Sequence, residues 1–215
     1  MPQPIMRSGP LVLVPLADEH LEREIELDAD PEVLRYLSGR ASTREEAEAG
    51  HARRMAAARK VDGLGFWVGF VEGEFVGWWA LQPAHGPDQP DDPGVADLGY
   101  RLVRRHWGKG LASAGARELV RYGFDEVGIG RVIAQTLSVN ARSRRVLERV
   151  GLTYVRTFPT SMTDVVDGAE AGEVEYELTR EGWEQRQTRS ADRSALSLGP
   201  PPSSGARRSS SPPQR

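Results

Sequence analysis

Two glycines and several basic residues between positions 104 and 113 form the part of the chain with the clearest chemistry. Gly108 and Gly110 have no Cβ atom, so a ligand can approach the backbone closely. Arg104, Arg105 and Lys109 surround them with positive charge. A predicted helix begins directly after the second glycine, and the first turn of a helix offers unpaired N–H groups and the positive end of its dipole. The stretch therefore predicts an anion site, and a phosphorylated ligand is the expected guest.

This loop lies between a predicted strand and a predicted helix, in the run DLGYRLVRRHWGKGLAS from Asp97 to Ser113. On its N-terminal side, apolar and polar residues alternate as they do in a strand with one buried face. On its C-terminal side, residues recur at helical spacing at Leu111, Gly115, Leu119 and Tyr122. A strand that leads through a glycine loop into a helix is typical of phosphate sites.

Two common phosphate loops do not match the sequence. A Walker A loop needs Ser or Thr after its lysine, but Gly110 follows Lys109, and no glycine stands five residues before Gly108. A Rossmann fingerprint needs a third glycine, where this chain has Ser113, and a carboxylate at the end of the next strand, where this chain has none. The loop is therefore of another kind.

Strands and helices are also predicted on both sides of this segment. Runs that alternate or are rich in β-branched residues predict strands at Leu11–Leu16, Phe66–Val71, Phe75–Leu81, Arg131–Leu137, Leu152–Phe158 and Glu173–Leu178. Capping residues and periodicity predict helices at Asp18–Leu27, from Asp30 and Pro31, at Thr43–Lys60 and at Asn140–Val150. Pro83–Gly94, with its prolines and aspartates, predicts a loop. The order favours a mixed α/β fold with antiparallel hairpins and one local parallel pair.

Length and composition predict one folded domain with distinct ends. We expect a flexible N-terminus over 1–10, a domain over 11–185 and a disordered tail rich in Ser, Pro and Arg over 186–215. The tail carries six arginines and one aspartate, whereas residues 1–185 carry 22 basic and 30 acidic residues, a charge of −8. An acidic body argues against nucleic-acid binding and suits a cationic acceptor such as an amine; the alternative is that the charge serves only solubility. The chain has no cysteine and no apolar run long enough to span a membrane, so we expect a cytoplasmic protein.

Two motifs give the chain a resemblance to a known family. Arg105, Gly108 and Gly110 form an arginine-x-x-glycine-x-glycine pattern between a strand and a helix, which resembles motif A of the GNAT superfamily of acyl-CoA-dependent N-acyltransferases. The run DLGYRLVRRHWGKGLAS is similar to the ELGY…WGKGYA signature of the Rim-type branch, which includes acetylases of ribosomal-protein N-termini. The second motif of that branch is matched at Asn140, Ser143, Leu147, Arg149, Gly151 and Leu152. The resemblance spans about Leu11 to Trp183 and implies a central, mostly antiparallel sheet of about seven strands with a splayed parallel pair, flanked by helices.

The resemblance also implies how acetyl-CoA is held as cosubstrate. Backbone N–H groups of the loop would bind its pyrophosphate, and the pantetheine arm would lie between the splayed strands, where Val103 would offer backbone hydrogen bonds and Asn140 its side-chain amide. Arg145 would face the phosphates. The loop residues this implies are Arg105, His106, Gly108, Lys109, Gly110, Leu111 and Ala112.

Acetyl transfer to an amine calls for a base, an oxyanion donor and a proton donor for the departing thiolate. Asp97, at the acidic position of the ELGY run, is the predicted base; the alternative is a surface carboxylate paired with Arg101. The backbone N–H near Val103 is the predicted oxyanion donor. Ser143 is the predicted proton donor, because Glu148 stands where many GNAT enzymes have a tyrosine; the alternative is a hydrogen bond within its own helix.

The sequence therefore predicts an acetyl-CoA-dependent N-acetyltransferase that moves an acetyl group directly to a primary amine, either a protein N-terminus or a small molecule. The histidines lack metal-ligand spacing, so we expect no metal site. One alternative is a non-catalytic acyl-CoA-binding sensor with the same fold. Another is a ribosome- or RNA-associated accessory protein that acts through the basic tail. The resemblance leaves the acceptor open, as well as the choice between a monomer and a homodimer.

Overall fold

The computed structural model describes residues 2–86, 89–160 and 166–197. Met1–Trp183 form one compact unit and Glu184–Arg215 a second. The strands are β1 (Met6–Ser8), β2 (Leu11–Pro15), β3 (Gly65–Val71), β4 (Glu74–Pro83), β5 (Val95–Leu102), β6 (Arg131–Leu137), β7 (Thr153–Phe158) and β8 (Glu173–Thr179). The α-helices are α1 (Leu21–Asp28), α2 (Pro31–Leu34), α3 (Arg44–Ala57), α4 (Leu111–Tyr122), α5 (Ala141–Val150) and α6 (Arg180–Ser197).

The described strands form a single eight-stranded sheet in the order β1-β2-β3-β4-β5-β6-β8-β7. Every neighbouring pair is antiparallel except β5 and β6, which run parallel. These two strands pair at only three positions, Val95–Asp97 against Arg131–Ile133, and separate beyond them. The predicted mixed sheet with one splayed parallel pair is confirmed.

Apolar side chains pack on both faces of this sheet. On one face, which we call the α4 face, Trp67, Trp79 and Leu81 form a core with residues of α4. On the other, which we call the α1 face, Phe66, Val68 and Trp78 pack with residues of α1, α2 and α3. The sheet thus separates two layers of helices, as burying both faces of its central strands requires.

A glycine lets α4 approach the sheet closely. A Cβ atom on Gly115 would lie 2.5 Å from the Trp79 indole, closer than real contacts allow. The same indole donates a hydrogen bond from Nε1 to the carbonyl of Ala112, at 3.1 Å. This contact fixes the first turn of α4, and therefore the glycine loop before it, against β4.

Local sequence signals account for most helix ends. Thr43 and Glu46 form the predicted capping box at the start of α3. The Asn140 side chain caps α5 by accepting a hydrogen bond from the Ser143 N–H at 3.2 Å. Gly151, at φ 112°, ends α5 in the left-handed region, as predicted.

Three segments differ from the sequence-based expectation. Met6–Ser8, expected to be flexible, pair with Leu11–Leu13 as an edge strand and bury Met6. Helix α3 ends at Ala57, before the predicted end at Lys60. Helix α6 continues to Ser197, into the segment expected to be disordered, because Glu, Gln, Arg and Ala are good helix formers even without an apolar face. The rest of the predicted tail, 198–215, lies outside the described residues.

Candidate active site

The glycine loop connects β5 to α4 with an open inner side. After β5, a 3-10 turn spans Arg104–His106, and Gly108 and Gly110 then adopt φ values of 75° and 80°, which favour glycine. A Cβ atom built on either glycine meets nothing within 4 Å. Gly110 is the N-cap of α4 and has no side chain to satisfy the first-turn N–H groups. The loop therefore fits the pyrophosphate that the sequence predicted for it.

The predicted phosphate-binding residues divide by how their groups are used. The N–H of His106 was predicted to bind the pyrophosphate, but it donates to the Val103 carbonyl at 2.9 Å. The side chain of Arg105 pairs with Glu74, with 2.7 Å between Nε and Oε1. The first-turn N–H groups at Leu111 and Ala112 have no acceptor within their own helix, and they follow directly on Gly108, Lys109 and Gly110. These five residues make up the candidate anion site, and the predicted contribution of the Arg105 backbone N–H remains a prediction.

The backbone of β5 does not direct the N–H of Val103 toward the splay. This N–H donates to the Val76 carbonyl of β4 at 2.9 Å, so the predicted oxyanion donor already has a partner. Adjacent residues in a strand direct their N–H groups to opposite edges. The N–H groups of Leu102 and Tyr100 therefore point toward β6, beyond the last paired position of the two strands. Leu102 replaces Val103 as the candidate donor at the end of β5.

A pair of hydroxyl groups connects β5 to α5 beside the splay. The Tyr100 hydroxyl lies 3.0 Å from Ser143 Oγ and also donates to the Ser143 carbonyl, at 3.1 Å. Burial raises the pKa of Tyr100, so this hydroxyl stays protonated at neutral pH. From the sequence, a proton-donating tyrosine was expected only on the helix that follows Asn140. Tyr100 lies on β5 instead, in the DLGY run that also contains Asp97.

The remaining predicted residues lie on or beside α5. Asn140 uses its amide locally, because Nδ2 donates to Thr136 Oγ1 at 3.2 Å while Oδ1 caps the helix. Arg145 is exposed, and no hydrogen bond or ion pair engages its guanidinium within the part of the chain that the structure describes. Its neighbour Arg142 stacks on the indole of Trp107, 5.0 Å from the ring centre. The basic face of α5 therefore adjoins the glycine loop.

Asp97 lies on β5 where the splay begins, with its side chain on the α1 face. It does not pair with Arg101, which instead binds Asp28 of α1 with 2.5 Å between NH1 and Oδ1. Gln82 Nε2 donates to Asp97 Oδ2 at 3.4 Å. Burial raises the pKa of Asp97 against the opposing effects of His85 and of the polar side chains of Gln89 and Gln82. A carboxylate in this state can accept a proton from an amine.

A buried ionic cluster lies on the same face, beneath α1 and α3. Glu24, whose side chain is 0% exposed, contacts His51 Nδ1 at 2.5 Å and Arg54 Nε at 2.7 Å. The guanidinium groups of Arg54 and Arg101 lie 5.5 and 5.1 Å from the centre of the Trp78 ring. These contacts fix α1 and α3 on β4 and β5, on the face of the sheet that also carries Asp97.

Two properties of the described residues bear on the class of site. Among them, no group of three or more His, Asp or Glu side chains could hold a metal ion. In the same residues, no helix combines the length and apolar character that crossing a membrane requires.

Comparison with known proteins matches this geometry to one family. A model described as "Acetyltransferase (GNAT) domain" matches residues 10–153. A protein of Aspergillus fumigatus named FsC-acetyl coenzyme A-N(2)-transacetylase is 44% identical over 195 residues, which cover 89% of this chain and 83% of that protein.

Solved structures agree on the fold. A putative acetyltransferase from T. thermophilus superimposes with a TM-score of 0.68 at 26% identity, covering 90% of this chain and 97% of that one. RimL, a ribosomal L7/L12 alpha-N-protein acetyltransferase solved with coenzyme A, gives a TM-score of 0.67 at 17% identity, covering 81% of this chain and 97% of that one. The glycine loop and the splayed strand pair agree with these matches. The matches establish that the protein belongs to the GNAT family of acetyltransferases, which are enzymes that use acetyl-CoA.

Proposed function

We propose that this protein transfers the acetyl group of acetyl-CoA to a primary amine of a small molecule, with Asp97 as the base. The observation that carries this proposal is the state of Asp97 at the start of the splay. It is a partly buried carboxylate with a raised pKa, and no Arg or Lys within the described residues forms an ion pair with it. The 44% identity to an N(2)-transacetylase supports a nitrogen acceptor.

The residues that would hold acetyl-CoA lie in the loop between β5 and α4 and on α5. Backbone N–H groups from Gly108 to Ala112 would bind the pyrophosphate, and exposed Arg145 would add a charge beside it. The bound cosubstrate supplies an acetyl group activated as a thioester. The N–H of Leu102 would stabilise negative charge on the acetyl oxygen, in the role first predicted for Val103.

Asp97 and Ser143 would handle the two protons of the transfer. An alkylammonium must lose a proton before its nitrogen can attack, and Asp97 accepts this proton on the α1 face. Ser143 Oγ would pass a proton to the departing sulfur and regain one from the attacking nitrogen, while the Tyr100 hydroxyl, 3.0 Å away, holds the serine in place. Neither step needs a nucleophile from the enzyme, which suits a chain without cysteine.

Acetylation of a protein N-terminus, as in the Rim-type branch, is a second candidate function. The DLGY and WGKG residues and the Asn140 and Ser143 motif favour it. A coupled assay of acetyl-CoA consumption over peptides and small amines separates the two candidates. We expect turnover with small amines at a kcat/KM at least about tenfold above that for peptides. A higher kcat/KM for peptides would favour the Rim-type function.

The location in the cytoplasm and the state as a monomer or homodimer remain predictions.

The role of Asp97 is tested by the pH dependence of the reaction. Only the ionised carboxylate can accept a proton, so kcat/KM should rise with pH through the pKa of Asp97, which burial places above its ordinary range. Asp97→Asn should remove this rise of kcat/KM with pH, the acid limb of the profile, and lower kcat by about 10²–10⁴-fold. The Kd for acetyl-CoA, measured by isothermal titration calorimetry, should change little. An unchanged limb in the variant would rule Asp97 out as the base.

A further inference from the structure

Two indole side chains hold the glycine loop, one at each end. Trp107 donates a hydrogen bond from Nε1 to the Leu102 carbonyl at 2.8 Å, at the N-terminal end of the loop. Trp79 of β4 donates from Nε1 to the Ala112 carbonyl at 3.1 Å, at the C-terminal end. Between them the chain passes through Gly108, whose φ of 75° needs the freedom of a residue without a side chain. The position of the loop on the sheet therefore depends on these two hydrogen bonds.

The carbonyl that Trp107 binds lies on an unpaired edge of the sheet. Leu102 is the last residue of β5, and β5 pairs with β6 only as far as Asp97. The N–H and C=O groups of one strand residue point to the same edge, which for Leu102 is the edge that faces β6. The Trp107 indole thus takes the place of a neighbouring strand at this carbonyl. The candidate oxyanion donor, the Leu102 N–H, belongs to the same residue.

The ring of Trp107 also connects the loop to α5. The Arg142 guanidinium lies 5.0 Å from the centre of this ring, within the range of a cation–π contact. The next residue, Ser143, has its Oγ 3.0 Å from the Tyr100 hydroxyl of β5. Because α5 follows β6 in the chain, these two contacts join the two sides of the splay at consecutive residues of one helical turn.

Packing alone does not require an indole at position 107. The side chain is partly buried and packs against the core on the α4 face of the sheet. Phenylalanine would supply a similar apolar ring, but it has no N–H group to bind the Leu102 carbonyl. The hydrogen bond is therefore the property of Trp107 that a substitution can remove while the ring is kept.

We infer that Trp107 is a positioning residue for acetyl transfer: it holds the anion site of the glycine loop in a fixed position relative to the Leu102 N–H and, through Arg142, to Ser143. The inference rests on the proposed function, because it needs the loop to bind the pyrophosphate and Leu102 to face the acetyl oxygen. Binding of a remote part of a substrate raises kcat only when it fixes the geometry at the reacting centre. Trp107 would provide that connection.

Replacement of Trp107 by phenylalanine separates this role from packing. Trp107→Phe keeps a ring for the core and for Arg142 but removes the hydrogen bond to Leu102. We expect kcat with acetyl-CoA to fall by about tenfold, because a small displacement of a positioned substrate can cost up to about a hundredfold. The Kd for CoA, measured by isothermal titration calorimetry, should change by less than about twofold, since the N–H groups of the loop are kept.

A second acetyl donor, S-acetylpantetheine, makes this test specific. It carries the same thioester but lacks the phosphates, so the loop does not hold it. With the unmodified protein, acetyl-CoA should give the higher kcat, because truncated substrates lose kcat as well as affinity. In Trp107→Phe the ratio of the two kcat values should fall by about tenfold, since only the donor held by the loop loses its positioning.

A matched control and a second variant accompany Trp107→Phe. The indole of Trp183 in α6 is also partly exposed and lies 3.3 Å from Asp125 Oδ1, so Trp183→Phe removes a similar contact outside the site and should leave the kcat ratio unchanged. Arg142→Gln, at an exposed position, should lower the ratio by about two- to fivefold, the size of an exposed cation–π contact.

Two measurements without any donor complete the comparison. Hydrogen exchange of the segment 100–107 should be faster in Trp107→Phe than in the unmodified protein, because the end of β5 loses its anchor. Thermal unfolding reports whether each variant is folded. If Trp107→Phe does not fold, the kcat ratio of Arg142→Gln decides alone, and an unchanged ratio there overturns the inference.

The outcomes separate this inference from the proposed function. A kcat that falls equally with both donors in Trp107→Phe, or a ratio that changes as much in Trp183→Phe, overturns the inference even when the unmodified protein acetylates small amines. Absence of acetyl-CoA binding or of turnover in the unmodified protein overturns the proposed function. A ratio that falls in Trp107→Phe while the Kd for CoA is kept supports the inference.

Discussion

At the scale of single residues, the site depends on glycines and hydroxyls as much as on charge. Gly108 and Gly110 adopt positive φ values with open space where a Cβ would lie, so the loop can close around an anion through its backbone alone. Arg105, the basic residue that the family pattern emphasises, pairs with Glu74 instead. Phosphate binding here is therefore expected to rest mainly on backbone N–H groups and the start of α4.

Substitution of Gly108 tests this view. Gly108→Glu should abolish acetyl-CoA binding in isothermal titration calorimetry, because it places bulk and negative charge where the pyrophosphate binds. Gly128→Glu is the matched control, since Gly128 has φ 84° and open space around its Cβ position but lies outside the loop. Equal loss of binding in both variants would show that backbone strain, and not the site, is responsible.

The pair of Tyr100 and Ser143 predicts that substitutions at either residue lower the turnover rate. Ser143→Ala should lower kcat by about 10–10²-fold through loss of the proton donor to sulfur. Tyr100→Phe should have a smaller effect on its own and almost none when combined with Ser143→Ala, because it acts through the serine. Steady-state kinetics with an acetyl donor whose leaving thiol is more acidic provides the check. A loss of equal size with this donor would contradict the role of Ser143.

At the scale of elements, α1 and α3 are held on the sheet by ionic contacts as well as apolar ones. The buried residues of α3 are Ala47, Gly50 and His51, which offer little apolar area. Glu24 of α1 is bound by His51 and Arg54 of α3, and Arg101 of β5 binds Asp28 at the end of α1. Removal of one partner from such a cluster leaves an uncompensated buried charge.

Arg54→Met should therefore destabilise the protein by about 3 kcal/mol, because the fully buried Glu24 loses its guanidinium partner while the side-chain volume is kept. The double variant Glu24→Met with Arg54→Met should be less destabilised than the single one. Urea unfolding measures both. Arg44→Met is the control in the same helix, since its pair with Glu22 is exposed and its loss should hardly change the midpoint. If Arg54→Met resembles this control, the cluster contributes little.

The sequence predicted the elements well because their signals are local. The capping box at Thr43, the cap at Asn140 and the left-handed Gly151 all lie within a few residues of the helix end they define. The site was predicted less completely because its contacts are long-range. Arg101 and Asp28 are 73 positions apart. Whether Val103 or Leu102 directs its N–H to the splay depends on the register between β4 and β5, and a pattern of alternation does not contain that register.

At the scale of the whole molecule, the two compact units differ in charge and in expected role. The elements of the site all belong to Met1–Trp183. Residues 1–183 carry a charge of −7, whereas residues 184–215 carry +4. An acidic body suits a cationic acceptor, and we expect any interaction with RNA to involve the basic residues 184–215.

Truncation of the chain tests that division. Removal of residues 198–215 should leave kcat/KM within about twofold of the full chain, because substitutions and deletions away from a site rarely affect it strongly. The measurement is the acetyl-CoA consumption assay, run at two salt concentrations with and without added RNA. A salt-sensitive affinity for RNA that disappears on truncation, together with a loss of activity, would favour the accessory-protein alternative.

The short pairing of β5 and β6 has a consequence for the lifetime of the protein. Because the two strands pair at three positions only, the sheet consists of two parts, β1–β5 and β6–β8, joined at one end. A cosubstrate bound between these parts would link them, and such a ligand stabilises the folded state by an amount that grows with the logarithm of its concentration. We therefore expect local opening and proteolysis to become easier when acetyl-CoA is scarce. The abundance of the protein would then follow the supply of its own acetyl donor.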